Sequence, residues 1–243
     1  MIMINLKHFH VLFNVKESNL MLEIENKVKE MGAGIIGYCD LSDYTIEGFE
    51  NLKYGISIGV ALSRTIVQQI NKGPTYLYFH HYRTINALID QITLRCCIML
   101  EEAGYEAIPI AASQTVHMGK EPHYSLFSHK LAAVRCGLGW IGRSSLFVSN
   151  KYGSGLRLGT ILTNKELPVN KKEIELPGCG DCTKCVDSCP ARAIKGQFWE
   201  PNCIRDNIFD ANACNEYMHK NYDKIGRGSV CGICMSVCPY NKY

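Results

Sequence analysis

The apolar positions of this chain fall into short blocks with two different periods. Ile85, Leu88, Ile89, Ile92, Cys96, Met99 and Leu100 repeat at the three- and four-residue spacing of one helix face, and Gly104 closes the pattern. Residues 21–31, MLEIENKVKEM, predict a shorter helix ended by Gly32 and Gly34. Between the two, IIGYC (35–39) and YGISIGVAL (54–62) are β-branched runs bounded by glycine or polar residues, and both predict buried strands. EAIPI (106–110) predicts another, with Pro109 marking a sheet edge or strand end. A helix is expected from about His129 to Cys136, stopped by Gly137. SLFVS (145–149) and LRLGTILT (156–163) then predict paired strands joined by the glycine-containing turn NKYGSG.

Helices alternating with strands predict an α/β (α+β) domain over residues 1–165. The stretch 164–178, NKELPVNKKEIELPG, is polar and lysine-rich with two prolines and reads as a linker. Beyond it the cysteine density rises and long apolar periodicity stops, so a smaller second domain is expected over 166–243. No internal repeat outside the cysteine motifs and no low-complexity segment is present.

Composition narrows the class. The 243 residues are 47% hydrophobic and 20% charged, enough for a globular core. A net charge of +3 does not argue for a nucleic-acid surface. No apolar run approaches the roughly 18 residues a membrane span needs, and the first residues, MIMINLKHFHVLFNVKE, lack a secretory leader's pattern. A cytosolic, reducing location is therefore expected, where the 13 cysteines are metal ligands more readily than disulfides.

Cys179, Cys182, Cys185 and Cys189, followed by Pro190, form C-x2-C-x2-C-x3-C-P, the bacterial ferredoxin run in which the fourth cysteine serves a second cluster. The C-terminus supplies the partner, Cys231, Cys234 and Cys238 with Pro239, one ligand short because Gly228 stands where the first would be. The missing thiolate comes from Cys203 or Cys214, and Cys203 is favoured. One [4Fe–4S] cluster is then expected on Cys179, Cys182, Cys185 and Cys238, the other on Cys189, Cys203, Cys231 and Cys234. Structural zinc also uses C-x2-C pairs but does not account for the long run and its partial repeat. Cys39, Cys96, Cys97 and Cys136 sit in strand or helix patterns and are expected to pack as small apolar residues.

A second motif lies upstream. Gly137, Gly139 and Gly142 bracket Leu138, Trp140 and Ile141 and precede Arg143, Ser144 and Ser145. Glycines permit close backbone approach to a flat ligand, and the polar residues after them can bond its edge; the alternative is a tight helix–strand turn packed by Trp140. The G-x-G-x-x-G spacing is not a dinucleotide site, because it follows a helix and leads into a strand.

HKLAAVRCGLGWIGRSSLFVS, GSGLRLGTILT, the eight-cysteine layout and the closing CPYN resemble epoxyqueuosine reductase and the related cobalamin-dependent reductive dehalogenases. KEMGAGIIGYCD and LEEAGYEAIPIAASQ are similar to the amino-terminal domain of that family, so the resemblance runs from about residue 22 to 241. It implies a cobalamin-binding α/β domain, a ferredoxin-like domain with two [4Fe–4S] clusters, and a base-off cobalamin between them whose cobalt the clusters reduce. By position, the corrin would contact Trp140, Ile141, Gly142, Arg143, Ser144, Ser145, Leu158, Arg205 and Gly232. About fourteen residues before GLGW, where the reductases carry an aspartate proton donor, this chain has His123, next to Tyr124; either is expected as the acid. Tyr243 directly follows the last cluster motif, where those reductases continue into a helical-repeat region, so a short form is expected. From 171 onward 10 Lys or Arg face 9 Asp or Glu, and transfer RNA is not an expected partner.

The function expected is thus a reductase passing electrons from an external low-potential donor through two clusters to a corrinoid and on to a small organic substrate. An electron-transfer or corrinoid-reactivating protein with no substrate of its own, docking a corrinoid partner, stays open, as does epoxyqueuosine reduction in tRNA.

Overall fold

The run LRLGTILT, paired with a neighbour on each edge, is the strand around which the sheet is built. The computed structural model describes residues 19–114, 116–118, 121–169, 177–201, 203–228 and 230–241. Its central sheet contains β1 (Ile35–Asp40), β2 (Tyr54–Ala61), β3 (Ala107–Ile110) and, last in sequence, β8 (Leu156–Thr163), in the spatial order β1-β2-β8-β3. Every neighbouring pair is antiparallel, with Ile58 opposite Gly159 and Ile56 opposite Ile161. Pro109 lies on β3, the sheet edge, where its missing N–H costs least.

Helices cover both faces. One layer is α1 (described over 19–30) with α3 (Tyr76–Glu102); its Ile24, Val28, Ile89, Ile92 and Cys96 pack on Ile56, Ile58 and Ile161. Gly159 lets α3 lie close, since a Cβ there would come within 2.5 Å of Ile89. The other layer is α4 (His129–Arg135), whose Ala132 packs with Cys39, Phe127 and Leu162. Each fully buried aliphatic side chain contributes roughly 2 kcal/mol of burial. Cys39, Cys96 and Cys97 are core residues, and Cys136 packs, half-buried, against the cluster that holds Cys39.

One boundary and one strand pairing differ from the sequence pattern for physical reasons. Helix α3 begins nine residues before Ile85, because Thr75 caps it by accepting a hydrogen bond from Tyr78 N at 3.1 Å. Its first turns, YLYFHHYRT, show no long apolar period because Tyr78 and Tyr82 pack on a small separate cluster with Leu62, Val67, Ile70 and Met235 and border a cavity, while Tyr76 and Leu77 are exposed. The expected pairing of 145–149 with 156–163 is replaced by another. β7 (Phe147–Ser149) pairs with β6 (Gly139–Ile141), and β8 pairs with β2 and β3. A three-residue strand finds its partner across the nearer Gly142–Leu146 turn, whereas an eight-residue apolar strand needs both of its faces covered. A short hairpin, β4 (Val116–Met118) and β5 (Glu121–Tyr124), carries His123.

The cysteine-rich region is made of short pieces: α5 (Lys184–Asp187), α6 (Arg205–Ile208), α7 (Ala211–Tyr222), a 3-10 turn at Gly226–Gly228 and α8 (Ile233–Ser236). A five-residue helix, α2 (Arg64–Gln68), joins β2 to α3 and touches α8. No described helix is long and apolar enough to cross a membrane. Of the expected linker, residues 170–176 lie outside the described residues.

Candidate functional site

The two cysteine runs fold alike. After Cys182 the chain turns into α5, which carries Cys185 and releases Cys189 at Pro190; after Cys231 it turns into α8, which carries Cys234 and releases Cys238 at Pro239. Backbone bonds Cys189 N to Val186 O (3.2 Å) and Cys238 N to Met235 O (3.1 Å) close the two equivalent turns. The exit after each helix crosses over. Cys185 lies with Cys179, Cys182 and Cys238 around a small gap also bordered by Gly142, Arg143 and Tyr240. Cys234 lies with Cys231, Cys214 and Cys189, all four on the wall of a cavity of about 410 Å³.

Cys214, not Cys203, joins that second group. Cys203 Sγ donates to the Ile204 carbonyl at 3.3 Å and does not line the cavity. Cys214 sits in the first turn of α7, whose cap Asp210 accepts from Ala213 N at 2.9 Å. The signal was present in the sequence: Asp210 is a capping residue, and Cys214, Tyr217 and Met218 share one helix face, all three on the cavity.

Burial pushes the Cys185 and Cys214 thiols up to about 11, with the neighbouring sulfurs adding to the shift. Burial and sulfur neighbours also raise Cys234 and Cys231. Thiolates gathered here therefore need a positive core. No three described His, Cys, Asp or Glu side chains converge as a shell for one metal ion, which is what zinc requires, whereas the ligands of a cubane each bind a different iron. Trp140 Nε1 and Arg143 Nε, flanking the first tetrad, are buried without an acceptor among the described residues. Such donors suit cluster sulfur.

The GLGWIG segment turns out to face the cysteines. Gly139 is held at φ 151° with Val148 O only 2.0 Å from where a Cβ would stand, so the β6–β7 hairpin admits no side chain there. A Cβ on Gly142 would approach Cys179 Sγ to 3.3 Å. Trp140 packs edge-on to Tyr240 at 5.1 Å and against Gly178. Arg143 stacks on Phe198 at 3.9 Å and donates to the carbonyls of Gly180 (2.8 Å) and Gly196. Trp140 to Arg143 thus bind the cysteine-rich region to the sheet region, while Ser144, Ser145 and Leu146, at the tip of the turn, line the cavity. Ile141 is buried, and Leu158 packs with it under β6 and β7, away from the cavity. Arg205 and Gly232 do line it.

The remaining wall comes from α3 and α4. Tyr78 and Tyr82, one helical turn apart, line the cavity; sequence reasoning missed both. Burial works to raise the Tyr82 phenol, yet the Arg157 guanidinium and the hydrogen bond to Ser113 outweigh it and leave the phenol more acidic than usual. Lys130, from α4, donates to Ser145 O at 2.8 Å and Ser145 Oγ at 3.3 Å. His123 lines the cavity at φ 63°, a conformation uncommon for a side chain of its size, and its carbonyl accepts from Arg205 at 2.9 Å. The Tyr124 side chain lies outside the described residues.

Residues 178–241 match the family described as the 4Fe-4S double cluster binding domain, and the chain carries an iron–sulfur domain of that kind. An epoxyqueuosine reductase of Lactococcus garvieae is 37% identical over 119 residues, 45% of this chain and 31% of the relative. One from Synechocystis is 35% identical over 124 residues, 46% of this chain and 39% of the relative. The chain thus spans about a third of the length of the curated relatives it matches. In fold it is similar to the reductive dehalogenase NpRdhA, solved in complex with 3-bromo-4-hydroxybenzoic acid (TM-score 0.71, 18% identity, 90% of this chain and 31% of that one). It is also similar to the epoxyqueuosine reductase of Streptococcus thermophilus (TM-score 0.57, 22% identity, 92% and 66%).

Proposed function

We propose that this chain is an iron–sulfur reductase that carries electrons through two [4Fe–4S] clusters to a corrinoid in the cavity and on to an organic substrate. The observation that carries the reading is the pair of thiol tetrads, the second opening onto the cavity. The proposed ligand sets are Cys179, Cys182, Cys185 and Cys238, and Cys189, Cys214, Cys231 and Cys234. Cys234 also borders the gap of the first tetrad, so the two clusters would lie next to one another. Electrons from an external low-potential donor would enter beside exposed Gly180 and Asp181, next to the first tetrad, and leave through the second.

The cavity residues suit a corrinoid in kind: an apolar lining of Leu146, Val230, Ile233 and Met235, with Ser144, Ser145, Tyr78 and Arg205 able to bond amide side chains. Gly232, at φ 85°, occupies a spot where a Cβ would strike Ile70 at 2.5 Å, which keeps the tetrad close to that wall. Bound there, the corrinoid would supply low-potential reducing chemistry at cobalt. His123 is the proposed proton donor, its backbone fixed by Arg205; Tyr82 is a second acid on the same wall. The cysteine usage fits a reducing compartment, and we place the protein in the cytoplasm.

Anaerobic reconstitution should give about eight irons per chain, and added cob(II)alamin should shift to a base-off spectrum. Fewer than about four irons would sink the cluster reading; full iron with no cobalamin shift would leave an electron carrier. The relatives' names favour a second reading, epoxyqueuosine reduction in tRNA, and weigh against leaving tRNA out as a partner. Loss of one oxygen atom from an epoxyqueuosine-bearing stem-loop, read by mass spectrometry, would establish it.

A further inference from the structure

The cavity contains a charge that neither the clusters nor the corrinoid explains. Lys130 and Arg205 line it together, and no Asp or Glu is among its described lining residues. Two of the three Lys130 protons are directed at Ser145, a neutral residue. No described carboxylate lies within ion-pair distance of Lys130; its electrostatic neighbour is a second cation, Arg205. Burial, and then Arg205, push the ammonium down to about 8, which is the direction expected of a cation waiting for a counter-ion. Arg205 is itself engaged, through Nε to Asp206 at 2.9 Å and through Nη1 to the His123 carbonyl, so it adds positive field while Lys130 retains a donor.

No described hydrogen bond joins Lys130 to any of the four cysteines on the cavity wall. The rest of the lining is hydroxyl (Ser144, Tyr78, Tyr82, Tyr217), the His123 imidazole, the four thiols or apolar, which suits a small molecule with one charged end.

We propose that Lys130 anchors an oxyanion of the molecule reduced in this cavity, and that the substrate is therefore a small organic carboxylate or phosphate ester. The inference rests on the reductase reading only in taking this cavity as the substrate's place.

The test uses the reconstituted two-cluster protein. Binding of benzoate and phenyl phosphate is compared with that of their neutral counterparts benzamide and benzyl alcohol by isothermal titration calorimetry. The anions are expected to bind at least tenfold more tightly than the neutral compounds. Lys130→Gln should remove that preference and leave the neutral compounds unchanged, while Lys130→Arg should keep it within about threefold. Unchanged iron content and cluster EPR would show that each variant is folded. Equal binding of charged and neutral probes, or no anion binding at millimolar concentration, overturns the proposal. So does a Lys130→Gln variant that keeps the anion preference but shifts a cluster midpoint potential, since Lys130 would then serve the cluster. An iron or cobalamin failure instead strikes the reductase reading and is seen before any anion is added.

Discussion

The sheet region and the cysteine-rich region are stabilised by different physics. Ile24, Val28, Ile56, Ile58, Ile89, Ile92 and Ile161 are fully or almost fully enclosed between α1, α3 and the sheet. In the cysteine-rich region α7 has no buried residue, and α5 has none either. Its buried apolar set is short: Ala193, Ile194, Ile208, Val230, Ile233 and Met235. A segment of this size with so small a core needs a staple, and the eight thiols are placed to hold one. The first region folds by excluding water, the second by gathering sulfur.

Removing the metal tests that contrast most severely. With iron chelated anaerobically, amide protection over residues 178–241 is expected to collapse, while β2 and β8 keep theirs, as read by hydrogen exchange. Equal loss in both regions would show that they fold as one unit and end the comparison. Next in size is the choice of the eighth ligand. Cys214→Ser should halve the iron, from about eight to about four per chain, while Cys203→Ser leaves it unchanged. The reverse result would restore Cys203 and make the α7 face irrelevant to the cluster.

How much of this was legible beforehand follows the same division. The sheet strands and α3 declare themselves because burial of an entire face writes a period into the sequence. The apolar pattern marks β8 as a strand but does not name its neighbours, since pairing depends on which faces must be covered and not on proximity along the chain. The cysteine spacing identified the clusters because thiol ligation imposes its own local geometry. The cavity wall was largely hidden: Tyr78 and Tyr82 pack on the small cluster around Ile70 and Met235 rather than on the sheet, and Lys130 is a polar residue on a short helix, so none of them extends the long apolar period. GLGWIG was legible as a place of close approach, but what approaches Trp140 to Arg143 is the cysteine-rich chain itself, at Gly178, Gly180 and Gly196.

That seam gives the third expectation. Gly139→Ala places a methyl group on Val148 O and forces a side chain into a glycine conformation, at a cost of roughly 4 kcal/mol or more. Because β6 and β7 carry the turn that touches Cys179, the variant should also reconstitute poorly. Stability by urea denaturation and iron content should fall together. A stability loss with full iron content would show that the seam does not couple the two regions.

The smallest effect belongs to the sheet region alone and is a matter of pH. His129 bonds Thr160 Oγ1 at 2.8 Å and the Ala111 carbonyl at 2.9 Å, joining α4 to β8 and to the segment just after β3. Burial holds its imidazole below the usual value, so the neutral form is the one that the fold accommodates. The unfolded chain, with a pKa of about 6.5, takes up the proton first. Stability is therefore at its full value above about pH 6.5 and is lost as pH falls from there toward the lower folded value. Urea midpoints followed by circular dichroism between about pH 5 and 8 should drop on the acid side, and His129→Gln should reduce that slope while leaving the cysteine-rich region's iron untouched at neutral pH. An unchanged slope in the variant would assign the acid loss to cluster lability, and the sheet region would then owe its pH dependence to the cysteine-rich region rather than to its own core.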